Sequence, residues 1–114
     1  LHLNIAINYG SRAELARAAK LLAREVYEGI RLPESIDENA IAQRLYTSGL
    51  PDVDLLIRTS GEMRLSNFML WQCAYAEFYF TPVLFPDFTK QCFDEALAEY
   101  AHRDRRMGGN TKKK

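Results

Sequence analysis

Asp54-Leu55-Leu56-Ile57-Arg58-Thr59-Ser60-Gly61-Glu62-Met63-Arg64-Leu65-Ser66 is the stretch on which the fold turns. Its first half is a continuous apolar run that stops at a charge. Runs of that kind suit a parallel strand covered on both faces, where alternation is not needed. Thr59-Ser60-Gly61 then reads as a loop, and Ser66 or Asn67 as the cap of a helix through Phe68, Leu70, Trp71 and Ala74.

Working outward, Leu3, Ile5 and Ile7 alternate with Asn4, Ala6 and Asn8, which predicts a strand of about seven residues. Tyr9-Gly10 makes a turn. Ser11 to Glu14 has the spacing of a capping box, opening a helix with Leu15, Ala18, Ala19, Leu22 and Val26 on one face. Gly29 can end that helix, and Pro33 blocks its continuation. A shorter helix is expected after Asp37, with Ile41 and Leu45 inward. Glu77 to Phe80 is β-prone and Thr81-Pro82 stops it. Thr89 can cap a last helix with Phe93, Ala96, Leu97, Tyr100 and Ala101 on one face, ended by Gly108-Gly109. The order strand, helix, helix, strand, helix, strand, helix predicts an α/β fold, part of a mostly parallel sheet flanked by helices. Residues 1–109 are expected to form one unit of structure, followed by a disordered basic tail at 110–114.

Composition narrows the function. The 114 residues carry 15 Lys+Arg against 15 Asp+Glu, and 47% are hydrophobic, which excludes a disordered chain. A net charge of zero offers no general basic surface for nucleic acid. Cys73 and Cys92 lack the spacings of a disulfide framework and read as reduced cytosolic thiols. His2 and His102 have no companion cysteines at ligand spacing, so zinc is not expected. The most apolar stretch, Phe68 to Phe80, is too short to span a bilayer and is cut by Gln72 and Glu77. The opening residues do not read as a signal peptide; they read as a chain that begins inside a strand.

Ligands of open parallel sheets sit beyond the carboxyl ends of the strands. Asn8 to Arg12 and Arg58 to Ser66 are the two segments placed there. The second supplies two guanidinium groups, three hydroxyls and a glycine within nine residues, a set suited to phosphate or diphosphate. The plainer reading is a pair of surface arginines bridged by Glu62. Glu77 interrupts an apolar run; it needs an arginine, a solvated position or a metal. Arg103, Arg105 and Arg106 complement a helix C-terminus, and Gly108 and Gly109 let backbone amides approach an anion.

Asp54 to Phe68, Leu70-Trp71-Gln72, Ala74 to Phe80, and Pro86-Asp87-Phe88 together resemble the C-terminal half of cis-prenyltransferases of the bacterial undecaprenyl diphosphate synthase type. Asn8 to Arg12 and Arg105 to Gly109 fit the same family at both ends. The resemblance implies condensation of isopentenyl diphosphate with an allylic diphosphate, forming a cis double bond and a polyprenyl diphosphate that serves as a cell-wall lipid carrier. It implies that Arg58, Arg64 and Ser66 bind isopentenyl diphosphate and that Glu77 helps place Mg2+. Arg106 and Gly108 match an Arg-x-Gly motif that completes the site across a homodimer interface. It implies a cytoplasmic enzyme with transient contact to a membrane surface. The family's Asp-Gly-Asn-Gly-Arg-Trp motif, its catalytic Asp and its allylic-phosphate loop have no counterpart in this chain. No catalytic residue is therefore assigned here, the N-terminal half is expected to be missing, and the chain is expected to be inactive alone. The alternative is a non-catalytic diphosphate-binding subunit that supports a partner; retention of Arg58, Arg64, Ser66 and Glu77 favours the enzyme. A generic phosphate-binding domain is disfavoured by the lack of G-x-G-x-x-G or a P-loop.

Overall fold

Three helices and two strands arise where the residue patterns place them, with two exceptions. The computed structural model describes residues 1–104 and 108–109. Helix α1 spans Ser11–Tyr27, α2 Glu38–Ala42 and α3 Lys90–Ala101; strand β1 spans Leu55–Arg58 and β2 Glu77–Phe80. Single 3-10 turns at Pro33–Ser35 and Phe85–Asp87 each start near a proline whose fixed φ suits a tight turn. The chain divides into two units. Unit 1 comprises Leu1–Pro51 and Ser66–Leu70, and unit 2 comprises Asp52–Leu65 and Trp71 onward.

In unit 1, α1 buries Ala18 and Leu22 at i, i+4 spacing, with Leu15 and Val26 half-buried beside them. The C-cap is Glu28, and Gly29 follows it at φ +74°, a left-handed position that favours glycine. The short helix follows Asp37 as expected, and Asp37 caps it: its carboxylate accepts from the Ala40 amide at 2.8 Å. Leu45 is buried, although α2 has already ended at Ala42. Glu25 gathers Arg44 and Arg31, and the hydrogen bond from Arg44 holds its carboxyl below the usual range.

In unit 2, β1 and β2 pair in parallel, with Leu55 opposite Glu77 and Arg58 opposite Phe80. Leu56 and Cys73 are buried there, and Phe78 and Phe80 meet edge to face at 6.1 Å. Burial pushes the Cys73 thiol pKa up, with Asp52 adding to the shift. Helix α3 buries Ala96 completely, while Phe93 and Leu97, expected inward, remain 44% and 41% exposed. Thr89 caps α3 through the Cys92 amide at 3.3 Å. Thr89→Ala is expected to cost about 1 kcal/mol in urea denaturation, and Thr89→Ser much less. Equal losses in both variants would discount the cap.

Four expectations need correction. Leu3, Ile5 and Ile7 are 82%, 76% and 83% exposed and form no strand among the described residues. Alternation only becomes a strand when another strand supplies its ladder. The helix expected from Ser66 or Asn67 is a run of turns instead, because Ser66, Asn67 and Met69 take φ of +50°, +63° and +48°. Gly10, not Ser11, is the N-cap of α1, and no side chain caps that helix. The last helix stops at Ala101, well before Gly108. The expected tail at 110–114 lies outside the described residues. No helix among the described residues is long and apolar enough to cross a membrane.

Candidate diphosphate site

The loop after β1 is held at the carboxyl end of the strand pair by its own backbone. The Ser60 amide donates to Val83 O at 2.7 Å and the Gly61 amide to Thr81 O at 3.0 Å. The Thr81 amide returns a bond to Arg58 O at 3.0 Å. Ser60 and Gly61 take φ of +67° and +70° in succession, which turns the chain sharply outward. Arg58 is half-buried where the loop begins. Beside it runs a groove of about 490 Å³, with Arg58, Thr59, Ser60 and Glu62 on the polar side and Phe85 and Phe88 on the apolar side.

Arg64 extends into solvent, with its side chain 70% exposed. Its Nη2 meets Glu62 Oε2 at 2.9 Å, which is one arm of the bridge between the two arginines in the plainer reading. An exposed pair of this kind is weak and readily exchanged for a stronger anion. Arg58 and Arg64 therefore stand on one loop of unit 2. Ser66 belongs to unit 1, exposed and left-handed.

The segment around Ser66 is fixed within unit 1 by long-range bonds. The Ser11 amide donates to Asn67 O at 2.8 Å, and the Arg12 amide to Asn67 Oδ1 at 2.8 Å. The Leu70 amide donates to Ser11 Oγ at 3.0 Å, which diverts the hydroxyl from the expected cap. A Cβ on Gly10 would stand 2.9 Å from Asn67 Nδ2, so the Asn67 amide would have to shift. Glu14 is 1% exposed and accepts from Tyr9 OH and, at 2.7 Å, from the Tyr46 amide. Burial, then the Glu14 hydrogen bond, raises the Tyr9 pKa. Asn8 to Arg12 thus braces the Ser66 segment, a link that spacing alone did not disclose.

Glu77 stands apart from the arginine loop. It opens β2, whereas Arg58 closes β1, three register steps or about 10 Å along the strand pair. Of the three needs recognised for it, the structure answers with an arginine: Arg103 Nη1 lies 3.3 Å from Glu77 Oε2. Arg103 is expected from the sequence only to complement a helix C-terminus, together with Arg105 and Arg106. Among the described residues no group of three or more His, Cys, Asp or Glu could hold a metal ion. Gly108 is exposed at φ +79°, a backbone setting that favours glycine; Arg106 lies outside the described residues.

Comparison with known proteins adds ancestry to this geometry. A family model described as "Putative undecaprenyl diphosphate synthase" matches residues 1–108. The chain is 63% identical over 109 residues to an isoprenyl transferase of Geobacillus kaustophilus, covering 96% of this chain and 42% of that protein. It is 53% identical over 111 residues to the ditrans,polycis-undecaprenyl-diphosphate synthase ((2E,6E)-farnesyl-diphosphate specific) of Pectobacterium atrosepticum, covering 97% and 44%. Among solved structures it matches lavandulyl diphosphate synthase from Lavandula x intermedia in complex with dimethylallyl diphosphate. That match has a TM-score of 0.87 and 48% identity, covering 90% of this chain and 44% of that one. A probable undecaprenyl diphosphate synthase from Campylobacter jejuni matches with a TM-score of 0.72 and 42% identity, covering 90% and 45%. The chain spans less than half the length of the curated relatives it matches.

Proposed function

The chain belongs to the undecaprenyl diphosphate synthase family of prenyltransferases, and from that membership we propose that it supplies the isopentenyl diphosphate side of a cis-prenyl transfer site. The observation that carries the reading is the loop from Arg58 to Arg64. It presents two guanidinium groups at the carboxyl end of a parallel strand pair, beside a groove with an apolar wall.

Arg58 and Arg64 would bind the diphosphate through charge-assisted forks, Arg64 exchanging Glu62 for phosphate oxygens. Family resemblance assigns Ser66, in unit 1, a substrate-binding hydroxyl. Arg106 and Gly108 of a second subunit would close over the diphosphate, the glycine allowing backbone amides a close approach. In the reaction the allylic C–O bond to diphosphate breaks, a C–C bond to the isopentenyl group forms, and a proton leaves. The task of these residues is to hold and orient the diphosphate so that the isopentenyl double bond faces the allylic carbon. Catalytic groups for the ionising allylic diphosphate are assigned outside this chain. Glu77 would help place Mg2+, which would supply charge neutralisation for the diphosphate. We assign the reaction to the cytoplasm, beside a membrane surface that would receive the product's long apolar tail.

A hybrid tests the reading. Residues 1–109 would replace the matching segment of the Geobacillus isoprenyl transferase, and radiolabelled isopentenyl diphosphate incorporation would be measured with an allylic diphosphate. Polyprenyl product from the hybrid, and none from the 114-residue chain alone, is the expected result. A folded hybrid without product would refute the reading. Robust elongation by the chain alone would refute its assignment to one side of the site.

A further inference from the structure

Helix α1 has no side-chain cap of its own, because its N-cap is Gly10. Asn67, 55 residues on from Arg12, takes that place. Its Oδ1 accepts from the amide of Arg12, the second residue of α1, at 2.8 Å, and its main-chain O accepts from the amide of Ser11, the first, at 2.8 Å. An N-cap side chain ordinarily serves the second or third helical amide, and asparagine is among the best at it. Gly10 leaves room for the carboxamide, since a Cβ there would stand 2.9 Å from Asn67 Nδ2. One side chain therefore caps the helix and fastens its own segment to it. Phe68 meets Tyr9 edge to face at 5.6 Å, and the Leu70 amide donates to Ser11 Oγ at 3.0 Å. Ser66, just before these ties, is exposed and left-handed at φ +50°. Left-handed backbone is unfavourable for serine, and two such residues in succession do not hold themselves. The conformation of Ser66 is imposed by its neighbours.

We infer that Asn67 is a positioning residue: its cap on α1 fixes the left-handed turn that presents the Ser66 hydroxyl. The inference deepens the proposed function and rests on it for its consequence, since the turn matters to the reaction only if Ser66 meets substrate. Asn67 acts on substrate only through Ser66, for both of its acceptor oxygens are engaged by α1. Two side chains that act through one contact do not add. Once the Ser66 hydroxyl is gone, loosening its turn has nothing further to lose. Two other roles predict otherwise. An asparagine kept only for its left-handed φ would be replaced by glycine without loss. One that served only the stability of α1 would affect both substrates alike.

Hydrogen exchange on the 114-residue chain is the first test. Asn67→Gly keeps the backbone freedom and loses the cap, whereas Asn67→Asp keeps both. The Leu70 amide is the reporter, since its acceptor is Ser11 and not Asn67. Asn67→Gly is expected to speed its exchange about tenfold, the worth of one hydrogen bond, with the Ala18 and Leu22 amides unchanged. Asn67→Asp is expected to leave all three near their original rates. Unchanged exchange at Leu70 in Asn67→Gly, or loss of protection along the whole of α1, would overturn the inference.

The second test is a double-mutant cycle in the hybrid enzyme. Ser66→Ala is expected to raise KM for isopentenyl diphosphate about tenfold and Asn67→Gly about fivefold, with the double variant no worse than Ser66→Ala. KM for the allylic diphosphate should stay within about twofold throughout. Losses that multiply in the double variant, or an equal rise for the allylic substrate, would overturn the inference. An inactive unsubstituted hybrid, or a Ser66→Ala variant without effect, would sink the reading of the site instead, and exchange at Leu70 would still decide whether Asn67 holds the turn.

Discussion

Replacing Arg58 and Arg64 together by alanine in the hybrid enzyme is expected to lower kcat/KM for isopentenyl diphosphate by about 10³-fold. Each guanidinium would lose charge-assisted hydrogen bonds worth about 1.5–3 kcal/mol. Every 1.36 kcal/mol is a factor of ten, so two such losses bracket that figure. The effect should fall on the homoallylic substrate, with KM for the allylic diphosphate moving less than about threefold. Arg64→Ala alone should show the same selectivity on a smaller scale. It frees Glu62 without disturbing the loop, whose backbone bonds to Thr81 and Val83 do not involve the side chain. Steady-state kinetics with each substrate varied in turn would decide the matter. Equal losses for both substrates, or a larger loss for the allylic one, would refute the assignment.

The largest expected effect on stability lies at Glu14. Its carboxylate is 1% exposed and serves Tyr9 OH on one oxygen and the Tyr46 amide on the other. Glu14→Ala removes two charge-assisted bonds and strands a backbone donor. We expect a loss of about 3 kcal/mol in urea denaturation, a large part of the roughly 5–15 kcal/mol of an ordinary domain. Glu14→Gln keeps one acceptor and should lose about half as much. A loss below about 1 kcal/mol in Glu14→Ala would mean that the carboxylate is not holding the turn.

These two sites differ in how far the sequence disclosed them. The β1 strand, its loop and the two arginines were legible because a hydrophobic run ending in charge is a local pattern. The Thr89 cap and the helix after Asp37 were legible for the same reason. Glu14 was visible only as half of a capping box; its true partners, Tyr9 and Tyr46, lie on either side of it across a turn and a helix. Ser11 was misread likewise, since its hydroxyl serves Leu70, 59 residues away. The false helix after Ser66 shows the limit of periodicity: apolar spacing there was helical, but three left-handed residues that tertiary bonds hold in place exclude the helix. Glu77 was correctly seen to need a counter-charge. Which charge met it depended on the register of β2 against β1 and on the path of α3, neither of which is local.

The bracing of residues 66–70 by Ser11 and Arg12 also bears on the order of folding. Asn67 and Arg12 are 55 residues apart in the chain, whereas the contacts inside α1, α2 and α3 are short-range. Closing so long a loop requires entropy to be lost before any contact repays it, so this bracing belongs to the late part of the folding reaction. Substitutions at Gly10 or Asn67 would then act mainly on the rate at which the native state opens, leaving the rate of its formation nearly unchanged.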